Sequence, residues 1–226
     1  WNSNSDTETL IEYVTLFGID KTLNDIRGMF AFCIIDKQNN NLILARDISG
    51  EKPLFLFFDS KSFNFSSSLK PLMILAKNKI KLNKKSISNY LNFNYVPAPL
   101  SIFESCFKLP ASSYLTINLE SFKLKNFNDF DELINSQGIN YKKYWNIDDH
   151  DVKNIDTSEN VCNKTEKLLQ KSVNSQLISD APLGVFLSGG IDSTLISSLV
   201  SKNFNKINTF NMGFDFNEYD ESKFAK

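Results

Sequence analysis

Ser5-Asp6-Thr7-Glu8 marks the first readable element, a hydroxyl residue with a glutamate three places on, as at a capped helix start. Leu10, Ile11, Val14 and Phe17 follow at helical spacing, and Gly18 can end the helix. Met29 to Ile35 is almost continuously apolar and predicts a buried strand. Asn39-Asn40 supplies a turn and Asn41 to Ala45 a second strand. Leu54 to Phe58 and Phe63 to Phe65 predict further short strands. Ser68 to Ala76 and Lys84 to Leu91 predict helices, the latter with Ile87, Tyr90 and Leu91 on its apolar side. Strands that follow one another without long intervening helices favour an antiparallel sheet capped by helices.

Farther on, Tyr114 to Asn118 and Phe122 to Asn126 suggest a hairpin, and the polar, glycine-poor stretch from Asn126 to Asp156 reads as a surface connector. Ser158 is placed to cap a long helix whose apolar side is Val161, Thr165, Leu168, Leu169, Val173 and Leu177, a pattern of core packing. Leu183 to Leu187 is long enough for a buried strand and too short for a helix. Ser188-Gly189-Gly190 then allows a tight turn. Asp192, Ser193 and Thr194 suit a helix start, with Leu195, Ile196, Leu199 and Val200 at helical spacing behind them. With a strand at Ile207 to Met212 this makes a βαβ unit and predicts a parallel, doubly wound sheet. Ligands bind beyond the carboxyl ends of such strands, which brings Leu187 to Ser193 and Met212 to Gly213 to one site.

The first-turn amides of the 191–202 helix would face that loop, and such a terminus favours phosphate. No Gly-Lys-Ser/Thr follows the glycines, so this is not a Walker A loop. Its donors would be backbone amides and the hydroxyls of Ser188, Ser193 and Thr194. Asp192 is the natural carboxylate for a Mg²⁺ carried by the phosphates. An ordinary capped strand–turn–helix corner would share the pattern.

Composition narrows the field. The 226 residues are 42% hydrophobic and 13% aromatic, enough for one large core or two modest ones. A net charge of −1 gives no ground for a nucleic-acid or acidic-membrane partner. Cys33, Cys106 and Cys162 have no CxxC spacing, which suits a reducing, cytosolic context, and Cys33 reads as a small buried hydrophobe. No apolar run approaches about 18 residues, so no membrane span is expected. The single histidine, His150, sits in Asp148-Asp149-His150-Asp151, which reads as a solvated linker. One histidine also disfavours a Ser-His-Asp triad or a multi-histidine zinc site. Arginine occurs only as Arg27 and Arg46. The chain opens on Trp1 and stops inside a helical-looking run, so a fragment is expected.

Several stretches carry a family resemblance. Ser188-Gly189-Gly190-Ile191-Asp192-Ser193 resembles the pyrophosphate loop of the ATP pyrophosphatase superfamily, and Asp180 to Leu187 resembles its lead-in in glutamine-hydrolysing asparagine synthetases. Ser5 to Glu8, Arg27-Gly28-Met29-Phe30-Ala31-Phe32, Ala45-Arg46-Asp47 and Gly50 to Phe55 resemble, in order and spacing, the class II glutaminase domain of those enzymes. Tyr95 to Pro99, Lys108-Leu109-Pro110, Tyr144-Trp145, Thr209 to Phe214 and Asp220-Glu221-Ser222 resemble further landmarks. Ala111-Ser112 stand where the family usually has Pro-Gly, so a different turn is expected.

The resemblance implies an α+β portion followed by an α/β portion. The first would be an antiparallel αββα glutaminase of the N-terminal-nucleophile type, the second a Rossmann-like parallel sheet with a pyrophosphate loop. Residues 1–92 would be the end of the glutaminase domain, 93–157 a connector and 158–226 the start of the synthetase domain. It implies that Asp6 binds the α-ammonium of glutamine. Leu187, Ser188, Gly189, Gly190, Asp192, Ser193 and Met212 would bind ATP, Leu187 and Met212 holding adenine through backbone groups, and Asp192 would meet Mg²⁺. The parent would be a cytoplasmic enzyme turning aspartate, glutamine and ATP into asparagine, with a homodimer of the full-length protein among the arrangements allowed. None of the three cysteines matches the family's nucleophile, so this chain alone is expected to be inactive. A related acid–amine ligase, such as one making a β-lactam or a surface-polysaccharide amide, and a non-catalytic nucleotide sensor are the alternatives.

Overall fold

A computed structural model describes residues 3–76, 81–149, 157–204, 206–216 and 220–225. They form two compact units, divided between Asp151 and Val152. His150 and Asp151 of the acidic run, and the N-terminal Trp1, lie outside the described residues.

The first unit begins with α1 (Asp6–Asp25), capped by Ser5, whose hydroxyl accepts from the Thr7 amide. Glu8, expected to reach back to the cap itself, accepts instead from the backbone amide and hydroxyl of Ser3. Gly18 breaks the helix with φ 78 and ψ 166, but the chain resumes it to Asp25.

Four strands, β1 (Ala31–Asp36), β2 (Asn41–Arg46), β6 (Ser113–Asn118) and β7 (Ile139–Lys143), form an antiparallel sheet in the order β1-β2-β6-β7. A second antiparallel sheet has the order β4-β3-β5, from β3 (Phe55–Phe58), β4 (Phe63–Ser66) and β5 (Cys106–Lys108). Alternation along the strands sets the layers. Leu42 and Leu44 of β2 and Leu115 and Ile117 of β6 face inward, onto Leu56 and Phe58 of β3 and Phe107 of β5. Ile43, Ala45 and Tyr114 face outward, onto Leu23 of α1. On the far side, Phe57 and Cys106 pack on Leu72 and Ala76, with α2 at Leu69–Leu75. The layering is therefore helix, sheet, sheet, helix, as expected. Both faces of β2 are covered. In contrast β1, which holds most of the almost continuous apolar run from Met29 to Ile35, is only half-buried because it lies at the end of the sheet, with Met29 60% and Ile35 62% exposed. The last helix of this region, α3 (Lys84–Phe93), is tied down by the Ser86 hydroxyl, which donates to the Ser101 carbonyl at 2.6 Å.

The region after Asn118 departs from expectation. Phe122 to Asn126 is not a strand; β6 pairs instead with β2 and β7. Nor is the 126–143 stretch a surface connector. Phe127 (1% exposed), Phe130 and Leu133 (0%) lie in the core between the sheets, the latter two on a short helix α4 (Phe130–Ile134), and β7 then completes the first sheet. Its few apolar residues are the buried ones, so an average over polar neighbours hides them. The Ala111-Ser112 turn keeps a left-handed residue, Ser112 at φ 52, the conformation that glycine adopts most easily.

The second unit contains α5 (Ser158–Ser175), β8 (Gly184–Phe186), α6 (Ile191–Ser201) and β9 (Asn208–Phe210). Thr157, one residue before the expected Ser158, caps α5 and accepts from Asn160. The two strands pair in parallel across α6, so the expected βαβ unit is present. Val173, Leu199 and Val200 form its core with Leu169, Leu177 and Val185. Val161 and Leu168, expected on the packed side of α5, are exposed. The shorter α6 meets only the later turns of α5, where Lys202 pairs with Glu166 at 2.8 Å and Gln170 donates to the Leu199 carbonyl at 3.2 Å. At Gly184 a Cβ would stand 2.3 Å from the Phe210 ring, so that aromatic side chain lies directly over a bare Cα.

Candidate functional sites

In the first unit a groove runs between the early turns of α1 and the segment leading into β1. Its walls include Asp6, Leu10 and Tyr13 on one side, Arg27 to Phe32 on another, and Lys52 and Pro53 on a third. Asp6 is exposed in the first helical turn, where the helix end favours a carboxylate, and it accepts from the Thr7 hydroxyl at 3.4 Å.

Two adjacent residues at the end of β2 hold the third wall. Arg46 is 7% exposed and directs its donors at main-chain carbonyls: Nε to Lys52 at 2.7 Å, Nη1 to Leu109 at 2.7 Å, and Nη2 to Gly50. Asp47, 1% exposed, takes the amides of Glu51 (2.9 Å), Lys52 (3.0 Å) and Phe30 (3.2 Å) on its carboxylate. Tyr144 closes the arrangement by donating to the Arg46 carbonyl at 2.8 Å, and burial and the Asp47 charge raise its phenol pKa. Burial also draws the Arg46 guanidinium below its usual pKa, opposed by Asp47. Arg27 donates Nη1 to the carbonyls of Asn24 and Ile26, closing the end of α1. The contacts of Arg46 give a structural reason for arginine at that position: a planar fork reaches three carbonyls at once and an ammonium does not.

No cysteine lines this groove among the described residues. Cys33 lies in β1 against the inner core, where burial pushes its thiol up to about 11. Cys106 is buried and its pKa is likewise raised by burial, while Cys162 is exposed on α5. Neither buried thiol is poised as a thiolate.

The second unit assembles the expected loop. Gly189 has φ 84, and Gly190 caps α6. The Ser193 hydroxyl accepts from the Ser188 amide at 3.2 Å, lies 3.0 Å from the Ser188 hydroxyl and donates to the Gly190 carbonyl at 3.2 Å. The first intrahelical bond runs from Thr194 to Gly190 at 3.0 Å, so the amides of Ile191, Asp192 and Ser193 precede the ladder and face the loop. Asp192 stands in that first turn. Met212 follows β9 and is 72% exposed, so it is not a core residue at a strand end.

Leu187 differs from expectation. Its amide donates to the Phe210 carbonyl at 2.8 Å and its carbonyl accepts from the Asn211 side chain at 2.6 Å, so its backbone groups are not free of the sheet. The pairing with the neighbouring strand holds through Leu187, the last residue of the apolar run. The segment from Asp220 to Phe224, which opens on a family landmark given no role from the sequence, also packs at this end of the unit. The helical turn Ser222–Phe224 rests on Gly189, and Asp220 approaches Gly213 while accepting from the Ser222 amide and hydroxyl, which with Ser222 foremost holds its carboxyl below the usual range. Their chain distance from the loop leaves no local signal.

Asp6 is thus in one unit, and the seven remaining site residues are in the other. No cluster of three or more His, Cys, Asp or Glu able to hold a metal occurs among the described residues. No described helix is long and apolar enough to cross a membrane.

Comparison with known proteins adds the following. Residues 1–128 match the family model described as a glutamine amidotransferase domain, and residues 164–226 match that described as asparagine synthase. A putative glutamine-hydrolysing asparagine synthetase of Methanocaldococcus jannaschii is 30% identical over 99% of this chain and 41% of its own length. A glutamine-hydrolysing asparagine synthetase of Bacillus subtilis is 31% identical over 100% of this chain and 33% of its own. Asparagine synthetase B of Escherichia coli is 28% identical over 89% and 28%. The chain therefore spans well under half the length of these curated relatives. Among solved structures, the glutamine phosphoribosylpyrophosphate amidotransferase of B. subtilis, complexed with ADP and GMP, aligns over 96% of this chain and 41% of that one, with a TM-score of 0.40 and 14% identity.

Proposed function

We propose, from the premise that this chain belongs to the glutamine amidotransferase family over residues 1–128, that it is part of an ATP- and glutamine-dependent asparagine synthetase. The observation that carries this is the order of two matches on one chain, amidotransferase and then asparagine synthase, each coinciding with a site of matching chemistry. In the first, Asp6 is a carboxylate at a groove edge, suited to the α-ammonium of glutamine. Arg46 and Asp47 keep the facing wall in place, so an amide presented there would meet a fixed surface. Hydrolysis of that amide releases ammonia.

In the second, the amides of residues 191–193 and the hydroxyls of Ser188 and Ser193 offer donors to the pyrophosphate of ATP. Aspartate activated as β-aspartyl-AMP would then accept the ammonia, leaving asparagine and AMP. The lone carboxylate Asp192 fits a Mg²⁺ that arrives on the phosphates, because the described residues offer no metal cluster of their own. That ion would neutralise charge on the departing pyrophosphate. Met212, exposed after β9, is the proposed adenine contact.

The test is Asp192→Asn in the full-length protein. It should abolish ATP/pyrophosphate exchange and leave glutaminase activity intact. Unchanged exchange would remove Asp192 from the nucleotide site.

A further inference from the structure

Gly18 divides α1 into two parts that are held differently. Residues 19–25 are anchored to the first sheet. Thr22 and Leu23 are fully buried there, and Asp20 accepts from the Tyr114 hydroxyl at 2.9 Å and from Lys142 at 2.8 Å. The part before Gly18 carries Asp6, yet among the described residues it contributes nothing to any buried cluster, and Ile11, Leu16 and Phe17 are exposed. Among the described residues two side-chain ties cross the break: the Lys21 ammonium lies 5.8 Å from the centroid of the Phe17 ring, and Tyr13 reaches Asp25. The Tyr13 hydroxyl donates to Asp25 Oδ2 at 2.7 Å, and Lys21 donates to the same oxygen at 2.7 Å. Tyr13 and Asp25 both line the groove that holds Asp6.

We infer that Tyr13 is a positioning residue for Asp6: latched on Asp25, its hydroxyl fixes the angle at which the loosely held part of α1 stands over the groove. This rests on the reading of Asp6 as the ligand of the glutamine α-ammonium. Leverage makes the latch matter. Asp6 lies twelve residues from the Gly18 pivot and Tyr13 five, arms of about 18 and 7.5 Å. Slack of about 1 Å at Tyr13 therefore becomes roughly 2.4 Å at Asp6, enough to break a charge-assisted hydrogen bond.

Tyr13→Phe in the full-length protein removes the hydroxyl and keeps the ring. It should raise the glutamine KM about fivefold, with glutamine-dependent kcat within about twofold of the parent. Thermal stability and ammonia-dependent synthesis should not change. Added to Asp6→Asn, it should cost nothing further. A normal KM in Tyr13→Phe beside a raised KM in Asp6→Asn would overturn the latch and leave the reading of Asp6 standing. A normal KM in both would overturn the reading of Asp6 and the latch with it. An equal fall in ammonia-dependent synthesis would mark Tyr13 as a general structural prop and overturn the inference as well.

Discussion

Phe224 lies against Gly189, so that a Cβ on the glycine would stand 2.5 Å from the Phe224 Cβ and 2.6 Å from its carbonyl carbon. The glycine also has φ 84. Gly189→Ala therefore meets both a backbone penalty, about 1–2 kcal/mol for an L-residue in that region, and a contact with main chain that cannot swing aside. It should lower the stability of the second unit by at least about 2 kcal/mol in denaturant unfolding. The neighbouring Gly190, with φ −74 and only the Ser188 hydroxyl within 4 Å of a new Cβ (at 3.5 Å), should accept alanine for less than about 1 kcal/mol. Equal losses in the two variants would mean that the Ser222–Phe224 turn does not pack on the loop.

Arg46→Lys should destabilise the glutaminase part by about 2–4 kcal/mol. An ammonium cannot reach the carbonyls of Gly50, Lys52 and Leu109 together, and the buried Leu109 carbonyl would be left without its donor. Urea unfolding of the full-length protein, followed at the glutaminase transition, checks this. A change under about 0.5 kcal/mol would show that the loop holds itself.

Tyr114 gives an alkaline signature. Burial foremost, then the hydrogen bond to Asp20 and its charge, raises the phenol to about 12. A raised folded pKa means that the unfolded chain loses this proton first. The contribution to stability is therefore complete below about pH 10 and is lost as pH rises towards 12. Tyr114→Phe should flatten that arm of a stability-against-pH curve. Asp20 acts at the other end. Lys142 first and Tyr114 second hold its carboxyl below the usual range, so its contribution is present above about pH 4 and fades as acid protonates it. An unchanged alkaline arm in Tyr114→Phe would show that other groups govern it.

An antiparallel sheet capped by helices was legible because short strands follow one another without long helices between them. The second sheet of the αββα layering was implied only by the family resemblance. Reading by local pattern failed between Asn126 and Lys143. There Phe127, Phe130 and Leu133 are spaced by three residues, a helical interval that polar neighbours diluted. The turn at Ser188 to Gly190 and the helix behind it were legible because the glycines, hydroxyls and helix start are contiguous. The bonds made by the Leu187 backbone were not, since strand pairing with Phe210 is set by a partner more than twenty residues away. Phe224 at Gly189 is the same case at longer range. The residues of Arg46-Asp47 were visible as a motif, but their role as a brace between the groove wall and the Leu109 turn needed coordinates.

The Phe210 ring over Gly184 works as a key for register. β8 and β9 share three residue pairs, too few to fix their alignment by backbone bonds alone. A slip by one residue would bring Leu183 or Val185 beneath the ring, which would then have to swing off its present place to make room for a Cβ. The offset between the two strands is thus gauged by the one residue in β8 that lacks a side chain. Ser188 follows that gauge by four residues and Met212 follows Phe210 by two, so the spacing between loop and strand end is set upstream of both. A bulkier residue at position 184 would shift the loop along its neighbour before it altered any residue of the loop itself.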